Sequence, residues 1–125
     1  LDKKGVILIT PLLNIKLLKN NNVKLEKNNV AYSDYFDKIL FEIDKTSFYF
    51  LPKEKEIIFH KEDAESVFDI LIGNQSNCQL TLKEYNKTFI INIIKSSYKK
   101  INNKHIINYQ LESDEEDTTI EINIE

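Results

Sequence analysis

Two histidines, one cysteine and one dense acidic run are the parts of this 125-residue chain whose residue types could do chemistry. Cys78 could act as a nucleophile if His105 lay beside it, since a thiol reacts as its thiolate and needs a neighbouring base. With no such neighbour, a free cysteine is a small buried hydrophobe. Neither His60 nor His105 has a His, Cys or Asp partner at metal-ligand spacing, and no second cysteine accompanies Cys78. The run Asp114-Glu115-Glu116-Asp117 lacks the alternating oxygen ligands and mid-loop glycine of a helix-loop-helix calcium site, so it reads as a solvated hairpin loop. There is no glycine-rich phosphate loop, no Ser-His-Asp order and no paired-carboxylate motif. The expectation is therefore a protein that is not an enzyme, with no metal and no cofactor.

Charge narrows the choice of partner. All 17 basic residues are lysines, and the formal net charge is −3. Arginine forms bidentate forks with phosphate and guanine, whereas lysine offers only a point charge, so a nucleic-acid surface is not expected. Lys99, Lys100 and Lys104 flank a turn and read as solubilising charge. Asn74-Gln75-Ser76 and Asn86-Lys87-Thr88 match the glycosylation sequon, but an asparagine-rich chain yields such matches by chance.

The stretch Leu1–Lys4 followed by Val6–Leu18 superficially resembles a signal peptide. Pro11, Asn14 and Lys16 interrupt it, no small-residue cleavage site follows, and it falls short of the roughly 20 apolar residues of a membrane span. Nor does a single cysteine suggest an oxidising compartment. The expected location is cytoplasmic. With no methionine, the chain as given reads as a fragment, a processed product or a literal reading of an unusual start codon.

The elements that must position these residues are strands. In His105–Glu112, residues His105, Ile107, Tyr109 and Leu111 alternate with Ile106, Asn108, Gln110 and Glu112. In Thr118–Glu125, Ile120, Ile122 and Ile124 alternate with polar residues. A period of two describes a sheet with one buried face and one wet face. Gln79–Glu84 and Thr88–Lys95 precede these runs, and the short connections predict a four-stranded antiparallel meander.

Upstream, strands are expected at Val6–Ile9, Leu12–Leu18, Val23–Glu26, Val30–Tyr32, Lys38–Ile43, Ser47–Leu51 and Glu56–His60, with Ser33–Asp37 as a turn or a single helical turn. The apolar residues are mainly Ile, Leu and Phe, which suit pleated surfaces. Only two glycines serve many turns, and asparagine clusters at Asn20–Asn22, Asn28–Asn29, Asn86 and Asn102–Asn103 punctuate the chain in their place. Glu62–Ile72 fits two patterns. Ala64, Val67, Phe68, Leu71 and Ile72 fall at helical spacing before Gly73 as a C-cap, while Phe68, Ile70 and Ile72 form an inward strand face.

From about Lys38 onward the order of these elements resembles an uncharacterised family of small bacterial proteins with a lipocalin-like (calycin) barrel. Lys38–Leu51 resembles that family's hairpin before its central turn, and Val67-Phe68 leading to Gly73 its aromatic-then-glycine step. Gln79–Ile94 is similar to its strand, aromatic turn and strand. Ile106–Leu111, with Tyr109 in a Tyr-x-Leu pattern, leads to the final strand. At the turn Tyr85-Asn86 carries asparagine where the family has glycine. The resemblance implies a barrel and no particular chemistry.

The sequence thus predicts one all-β domain over residues 1–125. The fold is an antiparallel barrel of about eight to ten short strands, with a helix near 62–72 as the alternative there. Two functions are consistent with it. In one, the barrel binds a small hydrophobic or amphipathic ligand through Leu80, Leu82, His105, Ile107, Tyr109 and Leu111, with Phe89 and Ile91 on the neighbouring strand. In the other, it is a structural or protein-interaction module filled by its own side chains, in which Tyr109 and His105 bond to each other or to backbone.

Overall fold

A computed structural model describes residues 10–125; the expected strand Val6–Ile9 lies outside them. Eleven antiparallel strands follow in order: β1 (Leu12–Lys19), β2 (Asn22–Tyr35), β3 (Lys38–Ile43), β4 (Thr46–Pro52), β5 (Ile57–Glu62), β6 (Ser66–Ile72), β7 (Asn77–Leu82), β8 (Lys87–Ile91), β9 (Ile93–Ile101), β10 (Lys104–Leu111) and β11 (Thr118–Ile124). The described residues contain no helix, and so none long and apolar enough to cross a membrane.

The pairing order is β8-β7-β6-β5-β4-β3-β2-β1-β11-β10-β9. Every hydrogen-bonded neighbour is also a neighbour in sequence except β1 and β11, which join the two ends of the described chain. The two outermost strands, β8 and β9, are consecutive and separated by Asn92 alone. The barrel is therefore nearly closed, and the covalent chain bridges its one gap.

Two long segments turn the corners. β2 pairs β1 through Asn22–Ala31 and then passes to β3 through Tyr32–Tyr35. The segment Lys87–Ile101 does the same at Asn92, pairing β7 before it and β10 after it. Strands that change sheet in this way make the corners of orthogonally packed barrels.

Alternation fills the interior. Leu13 and Ile15, then Ile39, Phe41 and Ile43, Phe48 and Phe50, Ile57 and Phe59, Ile70 and Ile72, and the inward residues of β10 and β11 form a single buried cluster. Such burial, at roughly 25 cal/mol per Å² of apolar surface, is the main force holding the sheet closed.

Several expectations change. Glu62–Ile72 is not a helix: Ser66–Ile72 is a strand paired on both sides, and Ile70 and Ile72 are buried. A helix there would strip both β5 and β7 of a partner edge, so pairing overrides helical spacing. Asp63 opens the strand, its Oδ1 accepting the Glu65 and Ser66 N–H groups at 2.9 Å each. Asn28–Asn29 is not a turn. These residues form a bulge within β2, where Asn29 has φ 59° and its N–H donates to Asn14 Oδ1 at 2.8 Å. Two expected strands thereby merge into one.

The predicted C-terminal meander also divides. Thr88–Lys95 breaks at Asn92, Ser96–Ile101 is strand, and β8 does not pair with β9. The count is eleven strands. Asparagine does stand in for glycine at Asn20, Asn21, Asn86 and Asn102, all with left-handed φ.

Candidate functional site

The interior offers little free space. Phe50 of β4 and His105 of β10 come from opposite sides of the barrel, yet their ring centres lie 5.2 Å apart. Phe68 of β6 likewise approaches Tyr109 of β10 at 6.2 Å. Side chains therefore meet across the middle. A cleft of about 170 Å³ is walled by Leu17, Phe59, Phe68, Tyr109, Leu111 and Ile120 and rimmed by Lys19, Lys61 and Asp114.

Of the residues expected to line a pocket, His105, Ile107, Tyr109 and Leu111 are buried on the inward face of β10. Only Tyr109 and Leu111 reach the cleft. Leu80 and Leu82 of β7 are half-buried, and Leu82 lies beside the Ala64–Glu65 turn instead. Ile91 packs on the edge of the core, while Phe89 is 39% exposed on the splayed strand β8. The six residues do not converge on one site.

Among the described residues His105 bonds neither to Tyr109 nor to backbone, in contrast to the bond that the filled-core alternative predicts. Its Nδ1 lies 2.8 Å from the Tyr98 hydroxyl. Burial, with the nearby Lys100 charge, pushes its pKa down to about 4, so the imidazole is neutral at pH 7. Burial also raises the Tyr109 phenol far above its usual value, an effect reinforced by the neighbouring Cys78 and partly offset by a hydrogen bond with Thr118. Cys78 is wholly buried, and burial pushes its thiol up to about 11, with Asp69 adding to the effect. Its pKa sits far from the range in which a thiolate forms at neutral pH.

The acidic loop is anchored more firmly than a solvated hairpin. Lys19 pairs with Asp114 and Lys95 with Asp117, each at 3.1 Å. Asn20 and Asp117 exchange two bonds, through Asn20 N–H to Asp117 O at 2.8 Å and Asp117 N–H to Asn20 Oδ1 at 2.9 Å. Among the described residues no three His, Cys, Asp or Glu side chains group as a metal site.

His60 faces outward, as its parity predicts. It stacks on Tyr49 at 4.4 Å, its Nδ1–H donates to Asp69 at 2.6 Å, and its Nε2 lies 3.4 Å from Glu62. These contacts link β4, β5 and β6 on the outer face.

A larger cleft lies elsewhere. At the Asn92 corner about 790 Å³ opens between the β6–β7 turn and residues 90–96, with Cys78 among its walls and Asn74, Ser76, Asn92, Lys95 and Glu112 around it. No sequence signal marked this place, because Thr88–Lys95 reads as one uninterrupted strand. Comparison of the chain with protein-family models, with curated proteins and with solved structures finds no match.

Proposed function

We propose that this protein is an interaction module whose barrel is filled by its own side chains, rather than a carrier of a small ligand. The contact of Phe50 with His105 across the barrel carries this reading. Binding pockets for small molecules occupy roughly 300–1,000 Å³. The interior cleft of about 170 Å³ falls below that range, and only two of the six expected lining residues reach it. The nearly closed antiparallel architecture supports the lipocalin-like relationship that the order of elements implies, since up-and-down barrels of this kind occur both filled and hollow.

The reading is tested with a panel of environment-sensitive apolar dyes, including a fluorescent fatty acid, titrated into the wild type. The expected result is no saturable uptake. Tyr109→Phe should meanwhile cost about 1 kcal/mol of stability, the usual net worth of one hydrogen bond. Saturable uptake that Tyr109→Phe weakens without destabilising the fold would favour a ligand carrier and overturn the filled barrel.

A further inference from the structure

The corner at Asn92 leaves strand edges without partners. Among the described residues β8 pairs only with β7 and β9 only with β10, so the far edge of each has no strand hydrogen-bonded to it, although β6 approaches β9 near the corner. There Ser96 Oγ lies 3.0 Å from Ser76 Oγ. Along the same segment Ile90, Ile94 and Ile101 are 74%, 60% and 50% exposed. An open edge with exposed apolar residues is a template for one more strand.

Charge decides what that strand should be. The protein is acidic overall, yet residues 87–111 contain no Asp or Glu; of their five lysines, Lys95 and Lys104 pair with Asp117 and Glu121, which leaves Lys87, Lys99 and Lys100. Strand β2, the other corner, carries both signs, with Lys24 and Lys27 beside Glu26 and Asp34. Lysines on an edge disfavour pairing with a second copy of the same edge, because like charges opposite each other across strands repel. They favour an extended chain of opposite charge.

We propose that the free edge of β9, Ile93–Ile101, takes up an extended acidic segment of a partner protein as an added antiparallel or parallel strand. This rests on the interaction-module reading above. The partner's backbone supplies the ladder, its carboxylates lie on the face of Lys99, and its alternate apolar side chains lie on the opposite face, that of Tyr98 and Lys100.

The test uses a fluorescein-labelled ten-residue peptide of alternating valine and glutamate. Its controls are the valine–lysine peptide, the valine–glutamate peptide with every peptide nitrogen methylated, and a ten-nucleotide oligothymidylate. The expected result is saturable binding of the acidic peptide alone, weakening with added salt, with new amide-exchange protection confined to Ile93–Ile101. Lys99→Glu should weaken binding about two- to fivefold, as loss of one exposed ion pair would, with an unchanged circular dichroism spectrum.

Equal binding by the methylated peptide, protection outside β9, tighter binding of the oligonucleotide, or self-association through β9 would each overturn the proposal. Absence of peptide binding in a protein that also takes up no apolar dye overturns the edge proposal and leaves the filled barrel standing. Dye uptake overturns the reading beneath it.

Discussion

The Tyr98 hydroxyl lies 2.8 Å from His105 Nδ1, and the two rings are nearly parallel at 6° with centres 6.0 Å apart. In the register of β9 with β10, Tyr98 stands opposite Ile107 and Lys100 opposite His105, so the pair is a diagonal contact on the inward face. The bond ties the corner strand β9, which among the described residues pairs only with β10, to the centre of the barrel, where His105 also meets Phe50. Tyr98→Phe keeps the ring and removes the hydroxyl, leaving the Nδ1 of a buried imidazole without its partner. The expected loss is about 1–3 kcal/mol, the cost of an unsatisfied buried polar group, read from urea denaturation. An unchanged unfolding midpoint would mean that the bond contributes nothing net.

His105 also sets a pH dependence. Its folded pKa of about 4 lies below its ordinary value of 6.5. Between those values the unfolded chain binds a proton that the folded chain does not. This contribution to stability is therefore present in full above about pH 6.5 and is lost as pH falls towards 4. At about 1.4 kcal/mol per unit of pKa difference, the whole effect is about 3 kcal/mol. Melting temperature should fall between pH 6.5 and 4.5. His105→Phe should flatten that segment of the curve, and an unflattened curve would assign the dependence to other groups.

The carboxylates contribute in a more acidic window. Asp63 is held low by the Glu65 and Ser66 N–H groups, Asp114 by the Glu116 N–H and Lys19, and Asp117 by Asn108 and Lys95. A depressed carboxylate stabilises above its unfolded pKa and loses that contribution as pH falls below it.

Much of the barrel was legible because alternation is a local property. The inward assignments of His105, Ile107, Tyr109 and Leu111 required only a period of two, and burial agrees with each. The corners were not legible, because a strand that changes partners looks like any other strand in sequence. Asn92 sits in an apolar run with nothing to mark it, and Ser96–Ile101 is polar because one of its edges and much of its surface face water. Tyr98, the true partner of His105, was missed for that reason. Parity tells which side chains point inward but not how far they reach, and Phe50 and Phe68 reach across to β10.

A strained turn gives a stabilising substitution. Phe36 at the β2–β3 turn has φ 51° and is 83% exposed, its ring resting edge-on against Tyr35 at 4.6 Å. A bulky residue in the left-handed region costs about 1–2 kcal/mol, while asparagine tolerates it. Phe36→Asn should therefore raise stability by up to about 1 kcal/mol in thermal or urea unfolding, the lost contact with Tyr35 offsetting part of the gain. A loss of stability would show that the aromatic pair outweighs the backbone strain.

Gly73 is held by space rather than by backbone angle. It caps no helix, and its φ lies outside the left-handed region. A Cβ there would stand 2.6 Å from Glu56 Cβ and 2.8 Å from Glu56 Oε2. The Oε2 contact could swing away, but Glu56 Cβ is fixed to the backbone of the β4–β5 turn, where the Glu56 carbonyl accepts the Lys53 N–H at 2.8 Å. Gly73→Ala must therefore move that turn, at a cost of about 1–3 kcal/mol, typical of overpacking. The same cause predicts its own rescue. In a Glu56→Gly background the clash is gone, so Gly73→Ala should cost little, and a double-mutant cycle should return a coupling of about 1 kcal/mol or more. Zero coupling would mean that Gly73 is required for its own backbone conformation and not for the approach of Glu56.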